Sequence, residues 1–435
     1  MMKVYVQNLG CKVNLYEAQA IKNAFEQKGY EVKEDFDDID VYVINTCTVT
    51  NKSDSKSRQM ISKVKKKNPD AVVIICGCYS QINSKEIEEM DIADIIVGTQ
   101  GRNKIVEYLE EYLDLGEKKN YVEDNIDKNY EELLFDKNFD STRAFIKIED
   151  GCNNFCSYCI IPYARGRVRS RKADSIIKEI ETLAKDGYKE FVITGIQITD
   201  YEDDGIDLIK LLEMIDEVPG VERLRLGSIQ PKLLKDETVE RLAHLKHLQH
   251  QFHLSLQSGS NKVLKLMNRK YTREDYIENT EKIYKAMPDA AITTDIIVGF
   301  PGEDDEDFKE SIDIVKKVNF LKVHVFRYSR RKGTKAYDMP DQVPESVKKD
   351  RAEILEEYQE ASRHIFINKF IGEEFEVLFE EKKDEYFEGY TSNYIRAYLK
   401  TDEDLHNHII KVKAVERFKD GVLVERIWFY GLFIL

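Results

Sequence analysis

No apolar stretch in this chain reaches the roughly 18 residues a membrane-spanning helix needs. Its opening, MMKVYVQNLGC, also lacks the pattern of a secretory signal. Only 8 prolines and 21 glycines occur in 435 residues, leaving little room for a disordered tract. No internal repeat or low-complexity segment is visible. Basic residues are in deficit, 66 against 81 acidic for a net charge of −15. That balance excludes a general DNA coat, but a local basic groove can still hold nucleic acid because phosphate attraction is local and screened. The expectation is a cytoplasmic protein without membrane contact. In that reducing compartment its seven cysteines are not expected to form structural disulfides, which leaves metal or redox work.

The length predicts two or three domains, and 42% hydrophobic residues suffice for real cores. In the first hundred residues, apolar runs at 4–7, 41–44, 72–75 and 93–97 alternate with helix-forming segments, notably Glu17–Lys28 and Asp54–Lys67. Such runs predict a parallel sheet with helices on its faces, a doubly wound domain over 1–125. The acidic segment from Glu107 to Asp140 reads as a solvated helix and linker. A second series, over 138–367, places candidate strands at 144–149, 190–194, 223–227, 252–257, 292–298 and 322–326, with helical patterns between them. This is a (βα)6 unit, either an open partial barrel or a large doubly wound sheet. A helix around 348–367 would close it. From 368 to 435 the texture is all strand, EEFEVLFE to VLVERIWF, and predicts a small β-barrel. The fold class is therefore α/β with a terminal β-barrel.

The strongest local signal is GCNNFCSYCIIPYARG. Cys152, Cys156 and Cys159 follow the first strand of the second series, and three thiolates can hold three irons of a [4Fe–4S] cube. The fourth iron stays open to the amino and carboxylate groups of S-adenosylmethionine. A structural zinc site normally asks for four ligands, and no fourth cysteine or histidine follows nearby. Ferredoxin spacings differ too. An electron from such a cluster can split S-adenosylmethionine to a 5′-deoxyadenosyl radical. Tyr158 would cover the adenine side of the cofactor, with ordinary packing as its alternative. Gly195 in TGIQ and Gly299 in IIVGFPGE lie at strand ends, where α/β folds place ligands, although turn glycines are common there.

Cys11, Cys47 and Cys78 have no local spacing motif, yet each ends an apolar run: VYVQNLGC, VYVINTC and VVIICGC. Parallel strands would deliver all three thiols to one crevice, as ligands of a second cluster with one open iron. Cys76 lies within its run and reads as packing.

LGCKVNLYE (9–17), NTCTVT (45–50), CGCY (76–79), GCNNFCSYCIIPYARGRVRSR (151–171) and LSLQSGSNKVLKLMNRKYT (254–272) together resemble the radical-SAM methylthiotransferases. The resemblance implies a second [4Fe–4S] cluster on Cys11, Cys47 and Cys78, a central radical-SAM domain, and a C-terminal TRAM-like domain that grips substrate. It also implies that Gly302 and Glu303 belong to the cofactor motif and that Ser228, Gln257 and Arg269 line the central pocket. LGCKVN with Tyr16 and Glu17 is similar to the branch that methylthiolates C2 of N6-threonylcarbamoyladenosine at position 37 of tRNA. The alternatives are isopentenyladenosine at the same position, an aspartate of ribosomal protein S12, or a non-enzymatic iron–sulfur RNA-binding or sulfur-carrier protein. The implied partners are a tRNA anticodon arm, an electron donor such as flavodoxin or ferredoxin, and a sulfur source.

Two basic runs accompany these motifs. ARGRVRSRK carries Arg165 and Arg167, and RYSRRKGTK carries Arg330 and Arg331. These four are the candidate substrate contacts, to phosphate or to the threonyl carboxylate. An internal role, one arginine of 165–171 holding a carboxylate of the fold, is the alternative for the first run. The tyrosines of the β-barrel fit either base stacking or a core. The histidines of 244–253 read as solvated or packed, since no carboxylate nearby in sequence completes a metal set.

Overall fold

The computed structural model describes residues 1–126, 128–133 and 142–427. Its first unit comprises β1 (Lys3–Asn8), α1 (Lys12–Gln27), β2 (Glu31–Lys33), β3 (Val41–Thr46), α2 (Asn51–Lys67), β4 (Val72–Gly77), α3 (Cys78–Glu89), β5 (Ile95–Ile96), α4 (Ile105–Leu115) and β6 (Lys119–Asn120). The six strands form one parallel sheet in the order β2-β1-β3-β4-β5-β6. Successive residues of β3 and β4 face opposite sides of the sheet. Val41, Val43 and Ile74 meet α1 and α4, whereas Ile44, Val73 and Ile75 meet α2 and α3. Both faces are covered, which is why these runs do not alternate with polar residues. Two short edge strands, β2 and β6, are not apparent in the apolar pattern because all their residues but Val32 are polar and none is buried.

The next series is β7 (Arg143–Lys147), β8 (Glu149–Asp150), α5 (Ile161–Arg165), β9 (Arg169–Ser170), α6 (Ala173–Lys185) and β10 (Glu190–Thr194). A hairpin, β11 (Glu202–Asp203) and β12 (Ile206–Asp207), precedes α7 (Leu208–Asp216), β13 (Arg223–Leu226), β14 (Ser228–Ile229), α8 (Asp236–Ala243) and β15 (Gln251–Leu254). Then come α9 (Asn261–Leu266), α10 (Arg273–Ala286), β16 (Ala291–Val298), α11 (Asp305–Val318), β17 (Lys322–Arg327) and α12 (Glu345–Asn368). Side chains cap several of these helices; Thr272 with Asp275 and Asp304 with Asp307 form capping boxes on α10 and α11.

The parallel strands run β7-β10-β13 in one sheet and β14-β15-β16-β17 in another, and the chain passes from one to the other at Gly227. Spatial order equals sequence order. That removes the doubly wound alternative, because winding a sheet both ways requires a reversal of strand order. The unit is an open partial barrel of six βα steps. Helix α12 packs across β17, with Gln359 accepting from the Val323 N–H and Ser362 donating to the Phe320 carbonyl.

A closed barrel follows, with β18 (Glu374–Lys383), β19 (Tyr386–Thr391), β20 (Arg396–Lys400), β21 (His408–Phe418) and β22 (Gly421–Arg426) in the order β18-β19-β20-β22-β21. The last residues of the VLVERIWF run, 428–429, lie outside the described residues. Among the described residues no helix is long and apolar enough to cross a membrane.

The segment read as a solvated linker proves to be partly interior. Leu133 is buried in the central core, the Tyr130 hydroxyl donates to the Lys147 carbonyl, and Glu131 pairs with Arg102. Its acidic composition reflects these partners as well as solvent, and the part at 127 and 134–141 lies outside the described residues.

Leu355 of α12 is fully buried in that same central core. Leu355→Ala is expected to cost about 2–5 kcal/mol, measured as a lowered unfolding midpoint for the partial barrel.

Candidate active site

Cys11 caps α1 directly after β1, Cys47 follows β3, and Cys78 opens α3 after β4. Because β1, β3 and β4 are neighbours pointing the same way, the three thiols meet at one sheet edge. The strand order reverses between β1 and β3, the place where doubly wound sheets open a crevice. Cys47 and Cys78 are buried, while Cys11 is open to an internal cavity. Burial pushes the Cys78 thiol up to about 12, Arg165 opposes the shift, and negative charge on Cys47 or Cys11 would add to it. Cys76 is fully buried among Val43, Ile74 and their neighbours, as its position in the run predicts.

The second trio occupies the loop between β8 and α5. Cys152, Cys156 and Cys159 are free and half-buried. Burial pushes Cys159 up to about 12, with Cys156 and Cys152 reinforcing the shift. Arg269 donates to the Cys156 sulfur at 3.4 Å, to the Ser255 carbonyl at 3.1 Å and to the Tyr271 hydroxyl at 2.8 Å. Arg165 donates to the Cys78 sulfur at 3.1 Å. Each trio thus has one guanidinium on one of its sulfurs.

Arg165 lies in the interior. It is 0% exposed and sits in a closed network of charges. Its guanidinium reaches Glu17 of α1 at 2.8 Å and Asp150 of β8 at 3.1 Å. Lys147 bridges the same two carboxylates at 2.9 and 2.6 Å, and Arg102 reaches Glu17 at 2.5 Å and Glu131 at 3.0 Å. Burial alone would raise the Glu17 carboxyl, but Arg102, Arg165 and Lys147 overcome it and hold the group well below the usual carboxylate range. The alternating arginines divide accordingly. Arg165, Arg169 and Arg171 are buried, Arg171 on Glu179, and only Arg167 is exposed, 4.4 Å over the Phe155 ring.

The other basic run is corrected in the same way. Arg331 is 5% exposed and locked to Asp54 at 2.9 Å and to the Thr48 hydroxyl. It fastens β17's trailing loop to the start of α2, where the Asn51 amide donates to the Arg330 carbonyl at 2.9 Å. Arg330 is exposed, lies 4.5 Å over the Tyr337 ring and donates to the Tyr337 carbonyl.

Around the second trio, Tyr158 is half-buried against Phe300, 6.4 Å away edge to face, with Val263 and Met267 beside it. Gln257 adopts φ 73°, and its backbone bonds both to the Asp295 carbonyl and from the Ile297 N–H. Ser228 is exposed to the cavity. Gly299 has φ +70° and a Cβ there would strike Lys348 of α12, while Glu303 accepts from its N–H at 2.8 Å and pairs with Arg351. At Gly195 a Cβ would lie 2.7 Å from Glu149 Oε1. This carboxyl, absent from the sequence reading, is fully buried, accepts from the Gln197 N–H and leaves Oε2 without a partner; the Gln197 side-chain amide is also unpaired. Burial pushes Glu149 up to about 8. A second charged residue, after Lys147, in the mostly apolar run AFIKIE was the available signal.

A cavity of about 670 Å³ lies between the three units, reached by Cys11, Gly195, Ser228, Tyr390 and Tyr394. Neighbouring strands bring Asp295 and His324 to His253, with Asp295 Oδ2 3.4 Å from His253 Nε2. The carboxylate missing from the local sequence comes from β16. The barrel aromatics divide: Phe387 and Tyr398 are buried, whereas Tyr390 and Tyr394 stack 4.5 Å apart on the cavity wall.

Residues 146–315 match the radical SAM superfamily, and residues 3–98 match an uncharacterized protein family, UPF0004. The threonylcarbamoyladenosine tRNA methylthiotransferase MtaB of Bacillus subtilis is 42% identical over 96% of this chain and 94% of its own length. The chain belongs to the radical-SAM tRNA methylthiotransferases. A second member, the tRNA-2-methylthio-N(6)-dimethylallyladenosine synthase of Caldicellulosiruptor saccharolyticus, is 35% identical over 98% of this chain and 91% of its own. Among solved structures, the radical S-adenosylmethionine methyltransferase TsrM of Kitasatospora setae, with cobalamin and a [4Fe–4S] cluster bound, superimposes with TM-score 0.57. It is 18% identical and covers 77% of this chain and 74% of its own, a likeness of fold. The methylthiotransferase is thus an α/β enzyme of this superfamily with a closed five-stranded barrel at its C-terminal side.

Two expectations follow for the methylthiotransferase. Glu17→Ala would strand Arg102, Arg165 and Lys147 in the interior and is expected to cost on the order of 3–5 kcal/mol in denaturant unfolding. Glu149 keeps its proton more tightly folded than unfolded, so its contribution is complete below its ordinary value of 4.5 and lost as pH rises through about 8. The cluster-free protein should therefore lose stability between those pH values, and Glu149→Gln should flatten that slope in melts recorded across pH.

Proposed function

We propose that this methylthiotransferase adds a methylthio group to C2 of N6-threonylcarbamoyladenosine at position 37 of tRNA. The observation that carries the reading is the junction of two free three-cysteine sets through one side chain, Arg165, which leaves the Cys159 loop and donates to Cys78. The substrate follows the more similar relative, 42% identical and named for threonylcarbamoyladenosine, over the 35% identical one named for dimethylallyladenosine.

Cys152, Cys156 and Cys159 would hold one [4Fe–4S] cluster and Cys11, Cys47 and Cys78 another. The donor sets support this, being free thiols in threes, each with an arginine to offset cluster charge. Glu149 supports S-adenosylmethionine beside the first: its carboxyl is packed against Gly195 through Oε1, its Oε2 has no hydrogen-bond partner, and a buried carboxyl is stabilised by a cationic amino group. When bound, the first cluster supplies an electron that splits S-adenosylmethionine to a radical able to take hydrogen from an unreactive carbon, and the second presents sulfur. The chain's own residues do the orienting. Arg269 ties the Cys156 loop to the end of β15, Tyr158 packs edge to face on Phe300 beside the cysteine loop, and Gln257 holds β15 to β16. Residues 1–125 would form the sulfur-presenting domain, 138–367 the radical domain and 368–435 the TRAM-like domain that receives the anticodon arm. A cytoplasmic electron donor such as flavodoxin or ferredoxin and a sulfur source complete the system.

Comparing tRNA nucleosides by mass spectrometry with and without the gene should show loss of the methylthio form of threonylcarbamoyladenosine; loss of the methylthio isopentenyl nucleoside instead would overturn the substrate. Alanine at Cys152, Cys156 and Cys159 should leave about four irons per chain and abolish 5′-deoxyadenosine release. Alanine at Cys11, Cys47 and Cys78 should leave a similar iron content and keep that release, but stop methylthiolation.

A further inference from the structure

In a chain of net charge −15, the central cavity carries the opposite sign. Six cations line it, Lys12, Arg143, Arg225, Lys322, Arg363 and Arg396, against two carboxylates, Asp295 and Asp420. The four arginines are matched by acids: Arg143 with Glu380 at 2.8 Å, Arg225 with Glu190 at 2.7 Å, Arg396 with Asp420 at 3.4 Å, and Arg363 with Glu360. Lys12 and Lys322 are different. Among the described residues neither has an ion pair or a side-chain hydrogen bond, and both face the cavity.

Lys12 is exposed to the cavity, and its surroundings add like charge. It is the first residue of α1, whose first turn holds no acid, so its charge opposes the helix dipole. Arg143 and Arg225 add like charge beside it, 5.2 Å over Tyr390 and 4.7 Å over Tyr394 respectively. Lys322 stands on β17, two residues before His324, whose imidazole feels both lysines. Unpaired cations facing a walled cavity are stabilised by an anion that enters it. The same balance opposes a metal cation at His253, Asp295 and His324.

We propose that Lys12 and Lys322 receive the carboxylate of the threonylcarbamoyl group, so that the anionic side chain of the modified base, rather than the adenine, selects the tRNA. The proposal rests on the substrate reading above and names the residues that enforce it. An isopentenyl group in the same cavity would displace water from both ammonium groups without offering them an anion, which penalises it. The carboxylate can be distinguished from two other anions, a tRNA phosphate and the carboxylate of S-adenosylmethionine.

The test uses full-length protein with reconstituted clusters, titrated with anticodon stem-loops bearing threonylcarbamoyladenosine, isopentenyladenosine or plain adenosine at position 37, over a salt series. Wild type should prefer the first by about tenfold or more. Lys12→Met and Lys322→Met should each shrink that preference severalfold while leaving the plain stem-loop unaffected, and Lys→Arg at either site should keep it. Lys12 adjoins Cys11, so iron content is measured alongside, and Lys322, remote from every cysteine in sequence, provides the independent variant. Equal losses on all three stem-loops with a shallower salt dependence would assign the lysines to phosphate and overturn the proposal. Weakened S-adenosylmethionine binding with unchanged stem-loop preference would overturn it in favour of the cofactor. A wild type that discriminates, with both methionine variants discriminating equally, overturns this inference alone; a wild type that binds all three alike overturns the substrate reading with it.

Discussion

Five side chains from different parts of the chain, Glu17, Arg102, Lys147, Asp150 and Arg165, share one buried charge network on which the rest of the site depends. Two come from the first unit and three from the strand and loop that carry the second cysteine trio. Taking such charges out of water is expensive, and the expense is met only while every member is in place. The network therefore acts as a register pin. It cannot slide without exposing an unpaired charge, so the two cysteine sets hold a fixed relation. Arg165 extends the pin to the chemistry by donating to Cys78.

A second tie works from the opposite side. Arg331 after β17 locks onto Asp54 and Thr48 at the start of α2, so the first unit is held at two separated points of the partial barrel. The terminal barrel is held in a similar manner, with Arg143 on Glu380 and Arg225 donating to the Thr391 and Ser392 carbonyls. Arginine suits these posts because its planar fork meets several acceptors at once. These attachments also bring Tyr390 and Tyr394 to the cavity wall, where the three units enclose a cationic space inside an acidic protein.

Charge sign and burial explain why the basic runs were hard to read. Arg165 and Arg167 are two residues apart with the same chemistry, yet one is enclosed by carboxylates and the other lies on Phe155 at the surface. Nothing local separates them, since the deciding partners, Glu17 and Asp150, are distant in sequence or on another strand. His253 shows the same limit, its acid arriving from β16 and its second imidazole from β17. Lys12 was hidden within a cysteine motif, where the neighbouring thiol draws the attention.

By itself the sequence determined the alternation of strands and helices, both cysteine sets, the position of Cys76 and the closing β-barrel. These rest on periodicity, on short spacings and on strand ends, properties that a few consecutive residues carry. Tertiary structure alone decided which arginines are structural, that one oxygen of Glu149 is left without a partner beside Gly195, and that two lysines without partners among the described residues face one cavity. Those properties belong to electrostatic surroundings assembled from distant segments, and a charge acquires its role only when folding settles which opposite charges and how much water remain beside it.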